Sequence, residues 1–187
     1  MKVALVCHPH TPRRVSVPLA RQFYTFDLLK VALSPSVPAD VKVAADEMLI
    51  ARLKTITIGE RLSLARRASG RVAGALLLDG ETRVMRTALE NPRLTEAFVI
   101  QAVLRPHAGA TFIQAVVKHT KWSHRREIRL ALLRTEFLSL ARALEFSRGF
   151  PPPLLREVLH TSRLSVPIKE QLLRECDRRS SAPEDRL

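Results

Sequence analysis

Apolar residues recur at helical spacing along nearly the whole chain. Leu62, Ala65 and Ala68 follow one another at steps of three residues, and residues 128–132 place their apolar members on one helical face. Alternation of the kind that marks a β-strand is found only at residues 55–58. The pattern therefore predicts an all-α fold.

The segment 55–58 is better interpreted as the approach to a helix. Thr57 stands three residues before Glu60, which is the spacing of a capping box. In a capping box the threonine hydroxyl accepts the backbone N–H of the glutamate, and the carboxylate accepts the N–H of the threonine. We therefore expect a helix to begin directly after Thr57.

Short breaks containing Pro or a small polar residue interrupt the helical pattern. They lie at residues 8–12, 34–38, 91–95, 105–109, 119–123, 134–138 and 161–165. Proline has no N–H to donate but suits the first turn of a helix, and a Ser or Thr oxygen caps the free N–H groups at a helix start. We therefore expect each break to separate two consecutive helices.

The regular spacing of the central breaks predicts an architecture. Helices of about ten residues are marginal alone, so they must pack on neighbours, and a series of them is typical of an α-solenoid. We predict roughly ten to twelve helices in one helical-repeat domain over residues 1–178, followed by a disordered tail at 179–187. The spacing is irregular between residues 40 and 90, so a compact irregular helical bundle is the alternative.

The stretch at residues 84–103 carries a resemblance to known repeat proteins. Its Asn-Pro-Arg-Leu-Thr break resembles the HEAT-like and leucine-rich repeat variant families of bacterial α-helical repeat proteins, most clearly over residues 59–135. The resemblance implies a HEAT-like superhelix with a curved surface presented to proteins or nucleic acids. Some leucine-rich repeat variant proteins carry an iron–sulfur cluster on several cysteines, which Cys7 alone does not supply, so we expect no cofactor.

The charge of the chain narrows the class of partner. Lys and Arg number 31 against 18 Asp and Glu, which gives a net charge of +13. An acidic protein, a nucleic acid or an anionic membrane surface would be attracted to such a chain, although the charges could also simply be solvated. The two cysteines, Cys7 and Cys176, share no motif, which favours a cytoplasmic compartment. Neither a metal-binding spacing nor an apolar run long enough to enter a membrane is present, so we expect no metal and no membrane insertion.

Two groups of residues are candidates for contact with an anionic partner. The first surrounds the break at 119–123, where we expect Ser123 to cap the next helix, and helix starts favour anions. Its members are Lys118, Lys121, Trp122, Arg125, Arg126 and Arg129. The second group spans one helix and the following turn, and its members are Arg66, Arg67 and Arg71.

Each group also has a second interpretation. Trp122 could stack on a base, but it occupies the position that Leu94 and Phe137 hold in the sister breaks, which predicts a buried structural side chain. The second group could extend into a continuous basic face if the helix phases agree. That face would add Arg61, Arg83, Arg86 and Arg93.

These observations favour a non-enzymatic binding module that recognises an acidic protein or peptide through a basic curved surface. A nucleic-acid-binding protein that contacts phosphates is the first alternative. A HEAT-like DNA glycosylase is a second alternative on fold analogy alone, and it would need an acid such as Asp79 beside Trp122. Self-association stays open because the apolar residues 3–6 do not resemble the polar cap that ends a solenoid.

Overall fold

The breaks in the sequence separate helices as expected. The computed structural model of the chain describes residues 2–8 and 10–181, and over these residues it contains thirteen α-helices and no strand. The all-α prediction is confirmed, with one helix more than the upper end of the expected range. All seven breaks fall between consecutive helices over the described residues.

The helices divide into two compact units, Met1–Ala102 and Val103–Leu187, where we expected one domain over residues 1–178. The helices that lie in or begin in the first unit are α1 (Lys2–Val6), α2 (Arg13–Ala20), α3 (Thr25–Leu33), α4 (Ala39–Arg52), α5 (Ile58–Arg67), α6 (Gly70–Leu76), α7 (Thr82–Leu89) and α8 (Glu96–Val103). Those of the second unit are α9 (Ala110–Lys118), α10 (Arg126–Leu133), α11 (Leu140–Ser147), α12 (Pro152–His160) and α13 (Val166–Ser181).

The helical part of the chain continues beyond the expected start of the tail. Helix α13 continues through residues 179–181, which belonged to the expected tail. The remainder, residues 182–187, lies outside the described residues.

Each unit is built from helices that pack on the next helix and on the next but one. In the first unit α4 packs on α3, α2 and α6, and α5 packs on α6 and α7. In the second unit α10 packs on α11 and α12, and α13 packs on α11 and α12. This neighbour pattern is the one expected where short helices bury their apolar faces on sequence neighbours. The solenoid itself stays a prediction.

Helix starts follow the local chemistry of the sequence. The Thr57 hydroxyl accepts the backbone N–H of Glu60 at 3.2 Å, and a Glu60 carboxylate oxygen accepts the N–H of Thr57 at 3.0 Å. The expected capping box is therefore confirmed at the start of α5. Pro12, Pro38 and Pro151 occupy the N-cap positions of α2, α4 and α12, where their missing N–H costs nothing.

The break after α7 is fixed by a buried amide. Asn91 is 1% exposed, and its Nδ2 donates to the carbonyl oxygens of Ala65 at 2.8 Å and Ala68 at 3.2 Å. Its Oδ1 accepts the backbone N–H of Arg93 at 2.7 Å. Because Ala65 and Ala68 belong to the C-terminal end of α5, this one side chain joins the break to the last turn of α5.

A serine makes a similar connection in the second unit. The buried Ser162 donates to the carbonyl of Leu133 at 2.6 Å and accepts the N–H of Leu164 at 3.1 Å. Beside it, the N–H of Arg163 donates to the carbonyl of Arg134 at 3.0 Å. The break at 161–165 is thereby joined to the end of α10.

The break at 134–138 has a different register from the one expected. In the break at 91–95 the buried positions are Asn91 and Leu94, three residues apart. In the later break the buried pair is Thr135 and Leu138, whereas Phe137 is only half-buried. The alignment of Phe137 with Leu94 is therefore wrong by one residue.

Two glycines of α6 allow the chain after α7 to approach closely. An ideal Cβ on Gly70 would lie 2.3 Å from the carbonyl oxygen of Arg93, and one on Gly74 would lie 3.0 Å from Cβ of Phe98. A distance of 2.3 Å to a backbone atom cannot be relieved by rotating a side chain. Gly70 is therefore required by packing rather than by backbone conformation.

Candidate binding surface

The tryptophan of the first candidate group is a core residue. Trp122 is 1% exposed and is among the largest fully buried side chains. The prediction of a buried structural side chain is confirmed, and the assignment of Trp122 as a contact residue is wrong because its ring is covered. Lys121 lies over the ring with its Nζ 4.1 Å from the ring centroid, so the tryptophan holds a cation at the surface.

Two arginines of this group also lie against aromatic rings. Cζ of Arg126 is 5.7 Å from the centroid of Phe150, and Cζ of Arg129 is 5.2 Å from the centroid of Phe146. Arg129 is half-buried, and its Nε donates to the carbonyl of Ser123 at 2.7 Å. Arg129 is therefore a structural side chain, whereas Arg126 remains exposed.

The start of α10 differs from the expected one. Helix α10 begins at Arg126 with Arg125 as its N-cap residue and without a side-chain capping bond, so Ser123 does not cap it. Ser123 instead supplies the carbonyl that Arg129 binds. Lys118 and Arg125 are exposed. Of this group, the structure leaves Lys118, Lys121, Arg125 and Arg126 as surface cations of the second unit.

The continuous basic face expected from the second group stays a prediction, but two of its arginines are ion-paired. Arg61 is half-buried, and its Nη1 donates to both carboxylate oxygens of Asp79 at 2.7 Å. Arg71 pairs with Glu47 at 3.1 Å. Of these two ion-paired members of the expected face, Arg61 is half-buried and Arg71 is exposed.

The remaining arginines of this group gather at the end of α5. Arg66 and Arg67 are exposed in its last turn. Arg93 Nη1 donates to the carbonyl of Arg67 at 3.2 Å, which brings a third guanidinium to the same place. Positive charge is favourable here because the C-terminal end of a helix carries a partial negative charge.

Arg67 faces a groove between α5 and α3. This groove has a volume of about 340 Å³ and is lined by Leu29, Lys30, Leu33, Ser34 and Arg67. We call it the basic groove. A second depression of about 240 Å³ lies on α5, and we call it the outer depression. Its lining residues are Leu62, Ser63, Arg66 and Arg67. Because Arg67 lines both, the two adjoin.

The opposite ends of α3 and α5 are also joined. Thr25, the first residue of α3, donates from its hydroxyl to Glu60 Oε1 at 2.9 Å. Glu60 lies in the first turn of α5, and Arg67 is the last residue of that helix. Since both ends match in order, α3 and α5 run in the same direction on either side of the basic groove. The basic groove lies at their shared C-terminal end.

Charge changes sign along this pair of helices. Hydrogen bonds from the backbone N–H of Thr57, the hydroxyl of Thr25 and the hydroxyl of Thr57 lower the pKa of Glu60, which therefore stays ionised near neutral pH. At the other end stand Lys30, Arg66 and Arg67. Lys30 also contacts Asp27, with 3.4 Å between Nζ and Oδ1, and because such a surface ion pair adds little stability, Lys30 can exchange Asp27 for another carboxylate.

A buried carboxylate lies beside the second group. Asp46 on α4 is 7% exposed, and its Oδ2 accepts the hydroxyl of Ser69 at 2.7 Å. Its Oδ1 is buried without a hydrogen bond. Burial raises the pKa of Asp46 because the charged form loses its hydration. The hydrogen bond from Ser69 and the charge of Arg71 act in the opposite direction. Ser69 is the N-cap residue of α6, so this contact connects α4 to the start of α6.

Sequence reasoning missed four of the five residues that line the basic groove. It selected Arg66 and Arg67 but passed over α3. A signal was present, since Phe26, Leu29 and Leu33 recur at helical spacing with Lys30 beside them. That signal predicts one amphipathic face of α3, but it does not say which helix lies next to it.

The residues that the structure describes form no metal-holding cluster, and the acid considered for a glycosylase is already bound by other groups. Within 2–8 and 10–181, no three His, Cys, Asp or Glu side chains come close enough to hold a metal ion. The carboxylate of Asp79, the acid considered for a glycosylase, is held by Arg61 and by the N–H of Glu81. Nor, over the same residues, is any helix long and apolar enough to cross a membrane.

Comparison with known proteins identifies no relative. No family model, curated protein or solved structure matches the chain. Kinship with the HEAT-like and leucine-rich repeat variant families therefore stays a prediction.

Proposed function

We propose that this chain is a non-enzymatic binding module that recognises an acidic segment of another protein through the basic groove and the outer depression. The observation that carries the proposal is that the cations lie beside apolar side chains in concave surfaces. Lys30 and Arg67 line the same groove as Leu29 and Leu33, and Arg66 lies in a depression with Leu62. Each concave surface therefore offers apolar contact beside positive charge.

This combination favours a protein segment over a nucleic acid. Protein recognition gains most of its affinity from apolar anchors in pockets, with charged groups at the rim adding specificity. A phosphate backbone would use the cations but leave the leucines without a partner. Arginine suits the task because its guanidinium binds carboxylates with two parallel hydrogen bonds.

Nucleic acid is the second candidate because of the cations of the second unit. Lys121 and Arg126 are exposed and lie over aromatic rings, with Arg125 beside them at the start of α10. Such stacked cations are well placed to contact phosphates. The surface lacks an exposed aromatic ring for base stacking at Trp122, so any such binding would be carried by charge alone.

Fluorescence anisotropy at physiological salt tests the proposal. Three labelled probes are titrated with the chain: a peptide of alternating Glu and Leu, a polyglutamate of the same charge, and duplex DNA. We expect the peptide to bind with a Kd of roughly 10 μM, as suits a small groove, and the other two to bind more weakly. Replacing Arg66 and Arg67 by Glu should weaken peptide binding about tenfold or more.

A matched control separates a groove from a general charge effect. Arg83 and Arg86 are exposed residues of α7 in the same unit, so their replacement by Glu changes the net charge by the same amount. The proposal predicts that this control keeps the affinity for the Glu-Leu peptide. Equal losses from both double variants would contradict it, as would duplex DNA that binds more tightly than the peptide at physiological salt.

A further inference from the structure

The faces of α3 and α5 that border the groove extend beyond its basic end. On α3, Phe26, Leu29, Lys30 and Leu33 stand at positions i, i+3, i+4 and i+7, so they share one side of the helix. Phe26 is 41% exposed and Leu33 is half-buried, whereas Leu29 between them is a core residue that is only 7% exposed. The surface thus begins with an exposed aromatic ring and ends with cations, over a length of about 10 Å.

On α5 the corresponding residues are Glu60, Ser63 and Arg67, again at helical spacing. Glu60 is tied to Thr25 at the same end as Phe26, and Arg67 faces Lys30 and Leu33 at the other end. An occupant would therefore meet an aromatic ring and a carboxylate at one end, and two or three cations at the other.

We infer that the surface between α3 and α5 takes an amphipathic helix of a partner protein, packed antiparallel to both helices. The acidic first turn of that helix would contact Lys30, Arg66 and Arg67, and its apolar side would pack on Leu33 and then on Phe26, with the buried Leu29 beneath them. This inference rests on the proposed function and adds the conformation and direction of the partner segment.

The conformation follows from the spacing of the apolar anchors. Phe26 and Leu33 are two helical turns apart, which matches a partner helix that presents large apolar residues at i, i+3, i+4 and i+7. The direction follows from charge. An antiparallel helix places its positive N-terminal dipole and its acidic first turn at the C-terminal ends of α3 and α5. A parallel helix would place the same acidic turn against the ionised Glu60.

Two peptides of identical composition test the direction. Each has about 14 residues, or about 20 Å as a helix, with Leu and Phe at i, i+3, i+4 and i+7. The forward peptide carries its Asp and Glu residues in the first turn, and the reversed peptide carries them in the last turn. Both are acetylated and amidated so that their end charges do not differ. We expect the forward peptide to bind about tenfold more tightly in anisotropy titrations.

Two further variants test the anchors and the conformation. Phe26→Ala should weaken binding of the forward peptide roughly fivefold, whereas Leu140→Ala, at an equally exposed residue of α11, should leave it unchanged. A proline placed in the middle of the forward peptide breaks its helix and should abolish binding.

The outcomes separate this inference from the proposed function. The inference is overturned if the forward and reversed peptides bind with equal affinity, or if the proline peptide binds with full affinity. In either case the binding concerned must be lost in the variant carrying Arg66→Glu and Arg67→Glu. If neither peptide binds the native chain better than that double variant, the proposed function fails and the inference fails with it.

Discussion

Replacing Gly70 by alanine should destabilise the chain although the substitution lies in a helix. An ideal Cβ at this position would stand 2.3 Å from the carbonyl oxygen of Arg93, about 1 Å short of ordinary contact. That oxygen belongs to the break that Asn91 joins to α5, so it cannot swing aside without straining three hydrogen bonds. The backbone of α6 or of the break must move instead.

The magnitude follows from two opposing effects. Gly to Ala in a helix ordinarily stabilises a protein by about 0.5–1 kcal/mol, since alanine restricts the unfolded chain. Overpacking against a backbone atom costs about 1–3 kcal/mol, and the strained Asn91 contacts place this site at the upper end. We therefore expect a net loss of about 2 kcal/mol in the free energy of unfolding.

Gly59→Ala is the matched control because Gly59 also lies in the first turn of a helix. The nearest atom to its ideal Cβ is Thr57 Oγ1 at 4.0 Å, which leaves room for a methyl group. Urea unfolding followed by far-UV circular dichroism should lower the midpoint of the Gly70 variant by about 1 M and leave the control at or above the native value. Equal midpoints for the two variants would refute the reasoning about close approach.

Three further changes test other parts of the fold. Asn91→Ala should cost about 3 kcal/mol in urea unfolding, because it removes the side chain that binds two carbonyls at the end of α5 and one N–H of the break. Asp46→Asn should gain stability relative to the native chain as pH rises from the ordinary pKa of aspartate through the raised pKa of folded Asp46. In that window the native chain loses stability because its folded state binds the proton more tightly than its unfolded state, whereas asparagine does not titrate. Trp122→Ala should cost about 3–5 kcal/mol in the same unfolding assay, since it empties a fully buried site.

Each of these has a measurement that would contradict it. Thr87→Ala is the control for Asn91→Ala, because it removes a hydroxyl on α7 that donates to the Arg83 carbonyl at the surface. An equal loss in the free energy of unfolding for the two variants would contradict the structural role of the buried amide. A stability difference between the Asp46 variant and the native chain that does not change with pH would contradict the raised pKa. A Trp122 variant within about 1 kcal/mol of the native chain would mean that the ring is not packed as described.

Local chemistry carried the prediction of the helices. The Thr57 capping box, the proline N-caps and the spaced breaks act over a few residues of contiguous chain, so their effect can be read without knowing what packs against them. The burial of Trp122 followed for the same reason, since its position within a break is a local property. The break at 134–138 shows the limit, because packing buried Leu138 where the alignment placed Phe137.

The candidate surface depends on contacts between distant parts of the sequence. Whether a guanidinium is free or bound is decided by its neighbours: Asp79 holds Arg61, and the aromatic ring of Phe146 covers Arg129. Lys30 and Arg67 line one groove because α3 lies beside α5, and no local pattern states that pairing. The sequence by itself determined the all-α fold, the position of seven breaks between helices, the start of α5 and the amount of positive charge on the chain. Only the tertiary structure decided which cations share a surface with apolar side chains, because helix phase and neighbour are set by packing across the whole unit.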